Sequence, residues 1–194
     1  MNKSFRKGVG IFLIGNDKKI WVGKRIDFDN YWQMPQGGID NHETELQAMK
    51  RELKEETSIE NVEILDSTKN WLSYDLPNNL RKKIWQGKFT GQMQKWFACK
   101  FLGNDKEIRI DTLKPEFKEW KWVEPSSIVD NVVPFKKKMY SEILDYFKIS
   151  GLIVGHTVQD DGINSKCSDK IWRVDTGMSN AFGENNSKNI QSIL

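Results

Sequence analysis

Cysteine and histidine are scarce, with two of each in 194 residues. Cys99 and Cys167 lie far apart and share no metal-ligand spacing. That excludes a cysteine-based zinc cluster and argues against a disulfide framework. With no need for an oxidising compartment, a cytoplasmic setting is expected. Long apolar runs are also missing: nothing approaches the roughly 20 residues of a membrane-spanning helix, so no membrane partner is expected. The opening "MNKSFRKGVGIFLIG" has a basic start and a short apolar run without a small-residue cleavage site. It reads as a first strand and not as a leader. Excess charge of one sign is small, +3 overall. Residues 151–194 hold four basic and five acidic residues, leaving +4 for residues 1–150. Such a balance permits an anionic partner without requiring one. Tryptophan, in contrast, is plentiful at eight residues, and each needs a core or a flat ligand to stack on. The length suffices for one well-buried domain with an appendage.

"GVGIFLIG" (8–15) and "KIWVGKRI" (19–26) are apolar strand-like runs around "NDK", which predicts a hairpin. "YWQMPQGG" (31–38) reads as a short extended piece ending in a Gly-Gly turn. From Glu43 to Glu56 the period changes: Leu46, Met49 and Leu53 recur at helical spacing beside Ala48. Residues 61–76 read as one or two strands ended by Pro77, and 94–103 and 119–124 as further strands. Residues 133–148 read as a second helix with Pro134 in its first turn. Strands then helix, twice over, predict an α+β domain of a mixed sheet sandwiched between helices. Trp32, Trp96, Trp120 and Trp122 are expected in strand packing, and His42 in a turn.

Within the first helix, Glu52 lies three residues before Glu55 and four before Glu56, so all three share one face. Like charges so placed destabilise a helix by about 0.2–0.5 kcal/mol per pair, and Arg51 offsets only part. A solvated face would account for "RELKEE" alone. A hard divalent cation would also neutralise it, because Mg²⁺ prefers carboxylate oxygens and keeps positions open for water and phosphate. Gly37 and Gly38 just ahead are expected to take a backbone path closed to other residues, bringing a loop carbonyl or amide to the same ion or to a phosphate. The wider spacing joins Gly37, Glu43, Arg51, Glu52, Glu55 and Glu56. It would arise by chance with a probability on the order of 10⁻⁵ at background usage, which favours the metal.

This stretch resembles the Nudix box, the signature of hydrolases acting on nucleoside diphosphates linked to another group. By that resemblance the fold is a Nudix α/β/α sandwich. Glu52, Glu55 and Glu56 would ligate metal or activate water, with Gly37 adding a backbone oxygen. Gly38, Glu43 and Arg51 would brace the loop against the helix. Ser58 stands where the family usually has glycine. "WQMPQGGID", "NWLSYDLP", "GQMQKWFACKF", "PEFKEWKWV" and "VVPFKKKMY" resemble the bacterial RNA pyrophosphohydrolase group, colinearly over about residues 5 to 148. That implies removal of pyrophosphate from 5′-triphosphorylated RNA to leave a monophosphate, promoting mRNA decay. Cleavage of dinucleoside polyphosphates is the alternative, and a non-catalytic RNA-binding module a third reading. The cofactor would be Mg²⁺, with Mn²⁺ or Zn²⁺ as substitutes. Arg6, Arg25 and Lys136 match positions that meet phosphates or the 5′ nucleotide; Phe135, and less strongly Tyr74, match base-stacking aromatics. Glu116 matches a distal carboxylate serving as metal ligand or general base.

After residue 150 the texture turns rich in Gly, Ser, Asn and Asp. We expect a Nudix domain over 1–150 and an appendage over 151–194 with a disordered end. "LIVGHTVQDDGINSKCSDKIWRVDTGMSNAFG" resembles the end of a calcineurin-like metallophosphatase, where His156 would be a metal ligand. The other stretches of such a site are missing from the sequence, so a remnant without phosphatase activity is expected.

Overall fold

The computed structural model describes residues 4–28, 30–149, 164–166 and 171–173. In chain order the elements are β1 (Phe5–Ile14), β2 (Ile20–Arg25), β3 (Trp32–Gln33), β4 (Gln36–Gly38), α1 (Glu45–Thr57), β5 (Val62–Ser67), β6 (Leu72–Asp75), α2 (Asn78–Arg81), β7 (Gly91–Phe101), β8 (Phe117–Val123), α3 (Ile128–Asn131) and α4 (Lys137–Ile149), followed by β9 (Asn164–Lys166) and β10 (Ile171–Arg173). Chain contacts divide the molecule into two units, Met1–Asp145 and Tyr146–Leu194. Within the second, β9 and β10 pair antiparallel. The "LIVGHT" stretch with His156, and the last dozen residues, lie outside the described residues.

The first unit is an α+β domain built on a mixed sheet in the order β3-β2-β1-β7-β5, with β4 also on β1, β6 on β7 and β8 on β2. The expected β1–β2 hairpin is present, joined at Ile14 and Ile20. Yet the long partner of β1 is β7, parallel from Phe5 opposite Gly91 to Ile14 opposite Lys100. A strand flanked on both sides is apolar along its length, and Val9 and Ile11–Leu13 are fully buried.

Helix α1 starts at a capping box: the Thr44 side chain accepts from the Gln47 amide while Gln47 accepts from the Thr44 amide. Glu43 therefore precedes the helix. Ala48, Met49 and Leu53 join a core with Trp21, Phe97, Phe101 and Phe117, whereas Leu46 in the first turn is exposed. The helix ends at Ser58 in the left-handed region, φ 61°, which non-glycine residues enter at some cost. Its amide bonds back to the Lys54 carbonyl and its hydroxyl to that of Arg109. The stretch expected as one helix from 133 opens with a 3₁₀ turn, Pro134–Lys136, before α4. That turn buries Lys136. The Tyr140 hydroxyl oxygen on α4 accepts from the Met34 amide at 3.1 Å, tying α4 to the loop before β4.

Trp96 is fully buried and Trp120 and Trp122 pack against the core. His42 sits in a turn at φ 67°.

Candidate active site

β4 pairs antiparallel with β1, setting Gly38 opposite Gly8 and Gly37 opposite Val9. Successive strand residues point to opposite faces. A Cβ on Gly37 would lie 1.9 Å from the Glu52 carboxyl carbon, and one on Gly38 would lie 1.9 Å from an Arg6 guanidinium nitrogen. Neither glycine has positive φ. The expected backbone freedom is therefore not what these positions use: glycine is there because an acid packs on one face and a cation on the other.

Arg51 links loop to helix. It donates to both Glu43 oxygens at 2.8 Å, to the Gly38 carbonyl at 2.8 Å and to Glu52 Oε1 at 2.9 Å. Glu55 is 3.4 Å away and mostly exposed. Arg51 holds the Glu43 carboxyl below its usual range and is itself raised, chiefly by Glu43. Glu52 moves the other way: burial raises it, and Arg51 offsets only part. Glu56 goes furthest. Burial, then the charges of Glu116 and Glu52, push it well above the carboxylate range. Its Oε2 accepts from the Gln36 amide at 3.0 Å, but its buried Oε1 has no hydrogen-bond partner.

Cations share this part of the molecule. A register shift between Lys24 and Arg25 re-aims the end of β2, as bulges do. Arg25 then makes two 2.5 Å bonds to Asp27 and one of 3.4 Å to Glu116, just before β8. Lys136 donates to Gln33 Oε1 at 3.0 Å and lies 5.1 Å from the Tyr74 ring centre. Burial, helped by the Arg25 charge, pushes its amine down to about 7. Tyr74 donates to Gln92 Oε1 at 2.8 Å and stacks obliquely on Phe135 at 5.6 Å. Arg6 lies under the Trp85 ring at 5.5 Å.

These groups surround one cleft of about 210 Å³, lined by Arg6, Arg25, Gly37, Tyr74, Glu116, Phe135 and Lys136 among others. Glu52 and Glu56 back it through Gly37 and Gln36. Glu55, on the outer side of Arg51, and Gly38 and Glu43 are not among its lining residues. Sequence reasoning missed Asp27, Gln33, Gln36, Gln92 and Trp85. The glutamines carried a signal: "QMPQ" and "QMQ" put amides into strands otherwise rich in apolar residues, and all are buried.

The donors fit a hard divalent cation. They are carboxylate oxygens, and Glu56 Oε1 is a buried acceptor without a donor, a state that costs free energy unless something pairs with it. Among the described residues no three acidic, histidine or cysteine groups are gathered into a ready cluster. Like charges explain the spread, since Glu52 turns to Arg51 and Glu116 to Arg25.

The NUDIX domain family matches residues 4–143. An RNA pyrophosphohydrolase of Pelagibacter ubique is 50% identical over 149 residues, spanning 76% of this chain and 94% of the relative. Nudix hydrolase 26 of Arabidopsis thaliana is 44% identical, over 75% and 70%. Among solved structures, the E. coli dihydroneopterin triphosphate pyrophosphohydrolase shares the fold with a TM-score of 0.58 at 19% identity, covering 76% of this chain and 99% of that one. With the family's domain over most of its length and relatives this similar, the chain belongs to the Nudix family and is a Nudix hydrolase.

Proposed function

We propose that this protein removes pyrophosphate from the 5′-triphosphate end of RNA with Mg²⁺, leaving a 5′-monophosphate. The observation that carries the reading is the unpaired Glu56 oxygen, set behind a cleft lined by Arg6, Arg25 and Lys136. Acids and cations gathered around one cleft suit a polyphosphate and its counter-ion. The RNA pyrophosphohydrolases that align along the chain at 45–50% identity support the substrate.

Glu52, Glu56 and Glu116 would hold the ion, with the Gly37 backbone beside them and Glu55 at the margin. When bound, a divalent ion neutralises phosphate oxygens and acidifies water. The residues do the rest. Arg51 fixes Glu52 and, with Glu43 and Gly38, the loop that carries Gly37. Arg6 and Arg25 donate to phosphate oxygens. Lys136, its amine pushed down to about 7 by burial, takes up a proton as a polyanion binds, so binding weakens as pH rises above that value. Phe135, flanked by Tyr74, offers a ring to a nucleobase, a contact worth about 1–3 kcal/mol per base. Glu56 or Glu116 takes the proton of the attacking water as the phosphoanhydride bond breaks and pyrophosphate leaves. Mn²⁺ or Zn²⁺ would serve where the carboxylates accept them. Action in the cytoplasm is part of this reading; no described helix is long and apolar enough to cross a membrane.

The experiment compares turnover of 5′-triphosphorylated RNA and diadenosine tetraphosphate with Mg²⁺. Faster release of pyrophosphate from RNA is the expected result. Much faster cleavage of the dinucleotide would replace the RNA reading with the dinucleoside polyphosphate one. We also assign the Nudix domain to residues 1–150 and an appendage to 151–194, which activity retained on truncation after Lys148 would support.

A further inference from the structure

Between β6 and β7 the chain makes an excursion, residues 76–90, whose ends are pinned: the Leu76 amide donates to the Thr90 carbonyl at 2.9 Å and the Thr90 amide to Ser4 at 2.8 Å. Arg81 closes its inside by donating to the Leu76 carbonyl at 2.9 Å. The excursion carries Arg81, Lys82, Lys83 and Lys88, and no Asp or Glu occurs from Leu76 to Asn104. Several surface cations elsewhere have acids: Lys19 with Asp17, Lys24 with Glu119, Lys54 with Glu60, Arg109 with Asp111. Lys82, Lys83 and Lys88 are exposed, and among the described residues none pairs with a carboxylate.

The excursion is continuous with the cleft. Leu76, Ile84 and Trp85 line it, so Lys83 and Lys82 follow its wall within one and two residues. Trp85 and Gln86 take left-handed backbone, φ 50° and 56°, a strained state for residues with side chains. That turn sets the Trp85 ring against Arg6 and against Phe89 at 6.0 Å. A segment that keeps its cations unpaired and bends its backbone to reach a phosphate-binding arginine is suited to a longer polyanion.

Resting on the reading above, we propose that residues 76–90 dock the single-stranded RNA chain beyond its first nucleotides. Lys82, Lys83 and Lys88 contact its phosphates, and Trp85 holds this surface to the cleft through Arg6. Phosphate contacts give sequence-independent, salt-sensitive affinity. A dinucleoside polyphosphate has no such strand, so the surface separates RNA from small substrates.

The test uses the full chain with Mg²⁺ and two 5′-triphosphorylated RNAs, a dinucleotide and a 12-mer, for wild type and the triple variant Lys82→Gln, Lys83→Gln, Lys88→Gln. The variant is expected to lose about tenfold or more in kcat/KM on the 12-mer. Its log–log salt slope should become shallower by about 2, at about 0.7 per phosphate contact, with the dinucleotide unchanged. Equal salt slopes for the two proteins on the 12-mer, or equal losses on both RNAs, would overturn the docking surface alone. A wild type that cleaves neither RNA would overturn the activity on which it rests.

Discussion

Glu43 and Glu56 come from the same short stretch of chain, yet their surroundings drive them in opposite directions. Glu43, before the helix, has both oxygens paired with Arg51 and is held below its usual range. Glu56, near the helix end, is buried, feels the charges of Glu116 and Glu52, has one oxygen without a partner and is pushed far up. The first arrangement stabilises the apo fold; the second strains it. A folded chain keeps such strain where a ligand relieves it, and the difference separates the brace from the proposed reaction centre.

The sharpest way to break the comparison is to neutralise Glu56. Glu56→Gln keeps the shape and removes the repulsion, so kcat should fall at least a thousandfold while Tm stays level or rises. A lower Tm with ordinary turnover would make Glu56 a structural residue. Gly37→Ala comes next. Its methyl would overlap the Glu52 carboxyl, and a displacement near 1 Å costs about a hundredfold in kcat/KM. Wild-type kinetics would show that Glu52 need not lie there.

Lys136 extends the contrast to a buried base. Folded, it releases its proton near pH 7; unfolded, it holds it to about 10.4. The unfolded chain therefore binds more protons between these values, and stability rises with pH there, by about 1.4 kcal/mol per pH unit at most. Denaturant melts of Lys136→Met at pH 7 and 9 should lack that rise; melts parallel to wild type would place the amine in water. The smallest effect belongs to Glu43→Gln. Glu43 is lowered in the fold, so its contribution is complete above the unfolded carboxyl value and fades as pH falls through the folded one. The variant should be less stable by about 1 kcal/mol or less at pH 7, given solvent screening, and equal to wild type in strong acid. A constant gap across pH would remove the charge from the explanation.

Much of this was legible locally. Three glutamates and an arginine at three- and four-residue spacing announce one helical face, and the α1 capping box is written in Thr44 and Gln47. The Nudix fold followed from the box and the stretches around it. What local pattern could not show was pairing across the chain. The parallel match of β1 to β7 joins segments more than eighty residues apart, and only the packing of Glu52 and Arg6 on β4 makes clear why Gly37 and Gly38 are needed: for close approach, not for rare backbone angles. Ser58 shows the converse. The left-handed position was foreseeable from the missing glycine, and serine occupies it with φ 61°. Lys136 opens a run of three lysines, and nothing local shows that the 3₁₀ turn buries it; Gln33 and Gln36 matter only because that turn and Glu56 face them.

The most direct measurement is calorimetric titration of Mg²⁺ into the wild-type chain and into Glu56→Gln, each with a non-hydrolysable nucleoside triphosphate present. Saturable binding by the wild type that weakens at least tenfold in the variant is the predicted outcome. Identical isotherms, or none in either protein at millimolar Mg²⁺, would contradict the assignment of this acid cluster to a catalytic ion.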